Sequence, residues 1–306
     1  MSAARLCSAP PGRVTAVPSA DPAVVERFRS LHVSGRPLLM PNPWDRGSAR
    51  LLAHLGFAAL ATTSSGFAAT LGRLDGTVSR EEALAHAASI VGAVGVPVSA
   101  DLENGYADLP AGVAETVEGA RATGLAGCSI EDFTGDPADP IYSLTLAADR
   151  VAAAARAAHT GPGLVLTARA ENYLHDRPDL ADTIARLRAY QEAGADVLYA
   201  PGLSALEDIR QVVKWVKRPV NVLVRPDGPT VAELASAGVA RISVGGSFGF
   251  VALGAAARAG RELLEQGTHS FLDLAADGRA AASASFELSQ ARAAERLSEA
   301  GRRDDR

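Results

Sequence analysis

The chain has 306 residues, 47% of them hydrophobic and 21% charged, with a formal charge of −5. That is enough apolar material for one barrel-sized core, and the acidic balance argues against electrostatic nucleic-acid binding or a polybasic membrane surface. Two cysteines, Cys7 and Cys128, cannot build a disulfide framework or a cysteine-rich metal site, and no apolar run approaches the roughly 20 residues that span a bilayer.

Residues 1–20 carry Arg, Pro and Ser without a continuous apolar stretch, and read as the flexible leader of a cytoplasmic protein. Asp21 and Pro22 read as the N-cap and first residue of a helix through Val24 to about Leu31. A strand Leu38–Met40 and a helix Gly47–Leu55 follow, then a strand Ala58–Thr62 running into Thr63-Ser64-Ser65-Gly66-Phe67. Ser79 to Glu82 form a capping box before an alanine-rich helix to about Val94. The third strand, from Val96 to Ala100, ends in the acidic turn Asp101-Leu102-Glu103-Asn104-Gly105-Tyr106.

The alternation continues with helices at Val113–Thr123, Leu144–Ala158, Asp179–Ala193, Ala205–Val216 and Thr230–Ala237. Between and after them lie strands at Gly127–Ile130, Leu164–Ala168, Val197–Tyr199, Val220–Val224 and Arg241–Val244. Helices near Phe250–Leu264 and Ala281–Ala300 close the chain. Eight short apolar strands alternating with helices predict an α/β fold, a (β/α)8 TIM barrel, with a doubly wound open sheet as the alternative. The predicted organisation is a barrel over residues 21–268 and a helical tail over 269–306. The tail is more apolar than a finished barrel needs, which points to docking on a neighbouring subunit.

In such a barrel the chemistry gathers at the C-terminal ends of the strands. Those ends carry Ser65-Gly66-Phe67, Asp101 and Glu103, Glu131, Arg169 and Glu171, and Gly245-Gly246-Ser247, while strand seven contains Asn221. Asp101 and Glu103 alternate onto one side of an extended chain, where two carboxylates repel unless a cation lies between them. A hard divalent ion with oxygen ligands would answer that repulsion; a solvated acidic turn would also account for it. The glycine pair could cradle a phosphate or simply permit close packing.

These motifs, with Asp75, Ile130-Glu131-Asp132 and Ala168-Arg169-Ala170-Glu171, resemble the isocitrate lyase/phosphoenolpyruvate mutase superfamily over roughly residues 35–265. The likeness is to its phosphonomutase-like and methylisocitrate lyase-like branch. The resemblance implies Mg²⁺, with Mn²⁺ as a substitute, and a small 2-oxo or 2-hydroxy carboxylate as substrate. Asp101 would bind the metal directly, and Asp75, Glu103 and Glu131 would hold its waters. Ser65 and the backbone of Gly66 and Phe67 would take the substrate carboxylate, with Asp101, Arg169 and Asn221 completing the substrate contacts. Arg169, Glu131 and Tyr106 form the expected catalytic group. Family members commonly swap a C-terminal helix and assemble as tetramers, so a helix-swapped homotetramer is implied.

The departures bear on the reaction. The family motif Asp-x-Asp-x-Gly-Tyr has Glu103 in place of its second Asp. The lyases place a Cys-Gly-His element after strand four, whose Cys is the general acid, whereas Phe133 to Tyr142 contains no Cys, Lys or His. The mutases' Lys-x-Asn-Ser element is missing as well, and Asn221 is followed by Val-Leu-Val-Arg rather than Thr-Glu-Phe-Gly. The leading expectation is a Mg²⁺-dependent lyase that breaks a C–C bond through an enolate. Phosphorus–carbon chemistry by a mutase or hydrolase is the second reading, and a non-catalytic carboxylate-binding protein the third. The Phe133–Tyr142 loop is expected to act as a lid, with Tyr106 or a metal-bound water supplying the proton.

Overall fold

A computed structural model describes residues 21–304, with side chains through residue 287; the expected leader, residues 1–20, lies outside the described residues. In chain order the first elements are α1 (Pro22–Ser30), β1 (Leu38–Met40), α2 (Arg46–His54), β2 (Leu60–Ala61), α3 (Ser64–Thr70), α4 (Arg80–Val91) and β3 (Val98–Asp101). Then come α5 (Pro110–Arg121), β4 (Gly127–Glu131), α6 (Leu144–Ala158), β5 (Val165–Arg169), α7 (Leu180–Glu192) and β6 (Val197–Tyr199). The chain closes with α8 (Leu206–Trp215), β7 (Val220–Leu223), α9 (Val231–Ser236), β8 (Arg241–Ser243), α10 (Ser247–Gln266) and α11 (Phe271–Asp304).

All strand pairs are parallel, and the sheet order is β1-β8-β7-β6-β5-β4-β3-β2. Each neighbour is the next strand in sequence, with β8 returning to β1. That is the order of a (β/α)8 barrel, whereas a doubly wound sheet starts in the middle and reverses. The ladder is interrupted only between β1 and β2, where Pro41 has no N–H to donate. Ala61 N donates to Pro41 O at 3.1 Å and Asn42 Nδ2 to Thr62 O at 3.0 Å, and these two bonds tie the seam.

The strands bury Val98, Ala100, Cys128, Ile130, Leu166, Ala168 and Leu198 in one continuous core with the inner faces of the helices. Burial of both faces explains why they read as apolar runs rather than alternating ones. The Ser79–Glu82 capping box forms as expected: Glu82 N donates to Ser79 Oγ while Ser79 N donates back to the Glu82 carboxylate. Most boundaries shift by one to three residues, and the differences near the site and the tail are these. Ser64–Thr70 is helical because the Thr63 hydroxyl accepts the Gly66 N–H as an N-cap. α10 begins at Ser247 rather than Phe250, and α11 at Phe271 rather than Ala281. α11 lies against α2 of its own chain, with Ser285 buried and the Phe286 ring beside Gly47.

Below the barrel floor, His32 ties α1 to β8. Its Nδ1 donates to Phe28 O at 2.9 Å, and its Nε2 accepts from Arg241 Nη1 at 3.3 Å. This arrangement requires the neutral ring, and burial, reinforced by the Arg241 charge, lowers its pKa from 6.5 to about 3. The unfolded chain therefore binds a proton that the folded chain refuses between those values. The stabilisation is complete above the unfolded pKa and is lost as pH falls toward 3. Wild-type stability should decline by at most about 1.4 kcal/mol per pH unit from this group below pH 6. His32→Gln should flatten the decline in urea titrations at pH 4–7; an unchanged slope would contradict this.

Candidate active site

The strands aim their last residues at a cavity of about 210 Å³ at the C-terminal end of the barrel, lined among others by Ser65, Asp75, Asp101, Arg169, Tyr199, Asn221, Arg241 and Ser243. Asp101 and Arg169 end β3 and β5 and meet across β4. Arg169 Nη1 donates to Asp101 Oδ1 at 2.8 Å, its Nη2 pairs with Glu131 Oε2 at 3.0 Å, and its Nε donates to Glu171 Oε1 at 2.7 Å. One guanidinium thus faces three carboxylates. Burial works against the Arg169 charge, but Glu131, Glu171 and Asp101 outweigh it and hold its pKa well above the usual arginine range.

The acids are not all neutralised by this one cation. Burial, with Asp101 and Asp75 nearby, pushes Glu103 up to about 7. Burial also raises Asp75, whose carboxylate is held by the Ser64 hydroxyl and the Gly76 N–H. Glu131 is pushed well above the carboxylate range by burial against the partial relief given by Arg169. The turn that carries Glu103 is itself unusual: Glu103, Gly105 and Tyr106 have φ of 48°, 78° and 55°. Left-handed non-glycine residues store strain and persist only where the surroundings over-determine them. Here the surroundings are Arg150, buried in α6, which donates to the carbonyls of Asn104, Ala107 and Asp108 from beneath. Its guanidinium lies 4.1 Å from the Tyr142 ring centroid, and the Tyr142 hydroxyl donates to Asp108 at 2.6 Å.

The residues expected from sequence fall into two groups. Ser65, Asp75, Asp101, Arg169 and Asn221 line the cavity together. Glu131 joins them through Arg169, and Glu103 lies behind Asp101, its N–H donating to Asp101 Oδ1 at 3.4 Å. Tyr106 turns away, donating its hydroxyl to Glu103 Oε1 at 3.1 Å, and is absent from the cavity wall. The Gly66 and Phe67 amides are spent on Thr63, at 3.3 Å to Oγ1 and 3.0 Å to O. The loop after β8 closes on Ser65 so tightly that a Cβ at Gly246 would sit 2.5 Å from Ser65 Oγ, and a side chain there would have to displace Ser65 and the Phe250 ring.

The polar cavity residues outside the expected set include Asn42, Tyr199, Arg241 and Ser243. Asn42 Oδ1 accepts from Val244 N and Gly245 N at 3.1 and 2.9 Å and so shapes the β8 turn. Tyr199 ends β6, and the rule that finds Asp101 and Arg169 at strand ends finds it too. The loop after β4 folds on itself: Thr134 N donates to Pro140 O at 2.9 Å, and Phe133 stacks on His175 at 3.8 Å. Asp136 and Asp139 are exposed and off the cavity wall. Loss of a general acid lowers rate about 10²–10⁴-fold. Asp136→Asn and Asp139→Asn should each leave kcat well short of such a loss, and a fall into that range would make the loop the acid.

Among the described residues no three His, Cys, Asp or Glu side chains converge as a ready-made metal cage. Mg²⁺ does not need one, since it keeps several waters and takes one or two carboxylates. The donor set here suits that mode: Asp101 faces the cavity, Asp75 and Glu103 stand near it, and the acids outnumber Arg169 and Arg241.

A parallel (β/α)8 barrel with acids and one arginine at the strand tips defines a lyase or mutase of the isocitrate lyase/phosphoenolpyruvate mutase superfamily. The chain belongs to the phosphoenolpyruvate phosphomutase family, which it matches over residues 28–264. It is 30% identical to the 2-methylisocitrate lyase of Escherichia coli K12 over 225 residues, 70% of this chain and 75% of the relative. A crystal structure described as a lyase or mutase from Burkholderia cenocepacia J2315 superposes with a TM-score of 0.79 at 50% identity, covering 82% of this chain and 91% of that one. The phosphoenolpyruvate phosphomutase of Streptomyces platensis subsp. rosaceus superposes with a TM-score of 0.70 at 25% identity, covering 79% and 88%.

Proposed function

We propose that the protein is a Mg²⁺-dependent carbon–carbon lyase acting on a small 2-oxo or 2-hydroxy carboxylate through a pyruvate-like enolate. The observation that carries this reading is the Asp101–Arg169 pair on the cavity wall, set among carboxylates in excess of the available positive charge. Asp101 would hold Mg²⁺ directly, and Asp75, Glu103 and Glu131 would hold it through waters. Bound there, the ion supplies Lewis-acid stabilisation of negative charge developing on the substrate's oxygens. Ser65 and Asn221 offer hydrogen bonds that orient the substrate. Arg169 fixes the Asp101 and Glu131 carboxylates and presents positive charge toward the cavity. The 2-methylisocitrate lyase relative supports C–C cleavage as the class of reaction.

The test is a turnover screen of 2-oxo, 2-hydroxy and phosphono acids, with Mg²⁺ and with chelator. C–C cleavage products that require the metal are expected. Phosphorus–carbon chemistry is the second reading, favoured by the family match and by Gly245 and Gly246 on the cavity wall. Phosphorus NMR showing a rearranged or hydrolysed phosphonate would establish it instead, and no turnover with any acid would leave a carboxylate-binding protein.

The working form is a homotetramer of cytoplasmic chains, joined through the helical tail. Phe250, Val251, Leu253 and Leu264 of α10 and Leu272 and Leu274 of α11 are exposed, more apolar surface than two helices of a monomer carry singly. No helix among the described residues is long and apolar enough to cross a membrane. Sedimentation should give four chains per particle; a single-chain mass at micromolar concentration would contradict the assembly.

A further inference from the structure

An enolate formed in this cavity must gain a proton, and the loop after β4 holds no Cys, Lys or His to give it. The cavity wall offers another donor. Tyr199 is 9% exposed, and its ring lies under Arg169, with the guanidinium carbon 5.4 Å from the ring centroid. Ser243 lies on the same cavity wall. Ser243 Oγ accepts from Asn221 Nδ2 at 3.0 Å, and Asn221 Oδ1 accepts from Arg241 Nε at 3.0 Å. Arg241 is buried, and its other two nitrogens reach Thr167 and His32, so none of its partners is an acid. The phenol therefore shares the wall with one guanidinium above it and with the Ser243–Asn221–Arg241 chain, which ends in a second.

The other ionisable side chains on this wall, among the described residues, are Asp75, Asp101 and the two arginines. On the reading above the aspartates would be taken up with the metal, and guanidinium does not release protons near neutrality. Tyr106 is committed to Glu103 and lies off the wall.

Resting on the enolate reading above, we propose that Tyr199 is the proton donor of the reaction. The phenolic O–H bond breaks and a C–H bond forms at the enolate carbon. The enolate double-bond pair makes that C–H bond, and its C–O⁻ returns to a carbonyl. The phenolate left behind is held by Arg169 and Ser243 until solvent reprotonates it. Burial pushes the Tyr199 phenol up to about 12, so the donor keeps its proton at neutral pH, while Arg169 and Ser243 pull the other way and ease the phenolate.

By microscopic reversibility the same phenolate must remove a proton from a product-like 2-oxo acid. The probes are pyruvate and 2-oxobutyrate in D₂O with Mg²⁺, with C3 exchange followed by proton NMR and oxalate affinity measured alongside. The wild-type protein should exchange both acids, at a rate rising about tenfold per pH unit from 7 to 9, as a base of high pKa requires. Tyr199→Phe should exchange at least about 100-fold more slowly with oxalate affinity unchanged. Ser243→Ala, which keeps the phenol but removes a neighbour that eases its ionisation, should fall between the two. Wild-type exchange rates in Tyr199→Phe would overturn the assignment and leave the enolate reading standing. Loss of oxalate binding in that variant would also overturn it, by making Tyr199 a binding residue. Absence of exchange in the wild-type protein would overturn both.

Discussion

Alanine in place of Arg169 should abolish turnover and lower the melting temperature at the same time. The guanidinium is the partner of three carboxylates whose side chains are 18%, 10% and 2% exposed. Removing it leaves Asp101, Glu131 and Glu171 facing one another with no cation between them. Breaking a buried pair by deleting one partner destabilises by about 3–5 kcal/mol, because the remaining charge is left without compensation. For a chain of this size that is a fall on the order of 10 °C. Arg169→Lys keeps the charge but offers one nitrogen where three acids are served from three, so it should retain part of the stability and little of the turnover. A scanning calorimetry trace for Arg169→Ala within a degree or two of wild type would refute the network's role in holding the barrel mouth together.

Asp101→Ala should be as damaging to function and far milder for stability. Arg169 would still be paired with Glu131 and Glu171, and Glu103 would lose the like charge that helps push it up to about 7. The variant should fold, show near-wild-type thermal unfolding, and lose metal-dependent turnover by at least about 10³-fold, the scale on which a lost electrostatic catalytic element is felt. Glu103→Gln should be milder, since its contact with the metal is expected to run through water. The contrast between Asp101→Ala and Arg169→Ala separates the metal's position from the scaffold that presents it.

Much of this was legible in the sequence, for a physical reason. Side chains at the C-terminal ends of parallel strands point into one mouth, so Asp101, Glu131 and Arg169 could be placed together by position along the chain alone. The sequence also showed the glycine turn after β8, although not that it closes on Ser65. What it concealed depends on contacts across the barrel. Arg169 reads from sequence as a group for the substrate's charge, while its three nitrogens in fact meet three acids contributed by β3, β4 and the turn after β5. Arg241 and Ser243 open and close the short strand β8 and are not singled out until the register and the cavity show them facing inward. α3 was concealed because Ser64-Ser65-Gly66 are turn-forming residues, and only the Thr63 cap makes them helical. The positive φ at Glu103 and Tyr106 has no sequence signature beyond the adjacent Gly105; Arg150 imposes it from a helix more than 40 residues away.

Isothermal calorimetry with oxalate, a dianionic mimic of an enolate, tests the central claim most directly. With Mg²⁺ present the wild-type protein should bind oxalate, with chelator it should not, and Asp101→Ala should bind in neither condition while unfolding at the wild-type temperature. Equal oxalate affinity in Mg²⁺ and in chelator, or metal-dependent affinity that survives in Asp101→Ala, would contradict a metal-assisted enolate site at this barrel mouth.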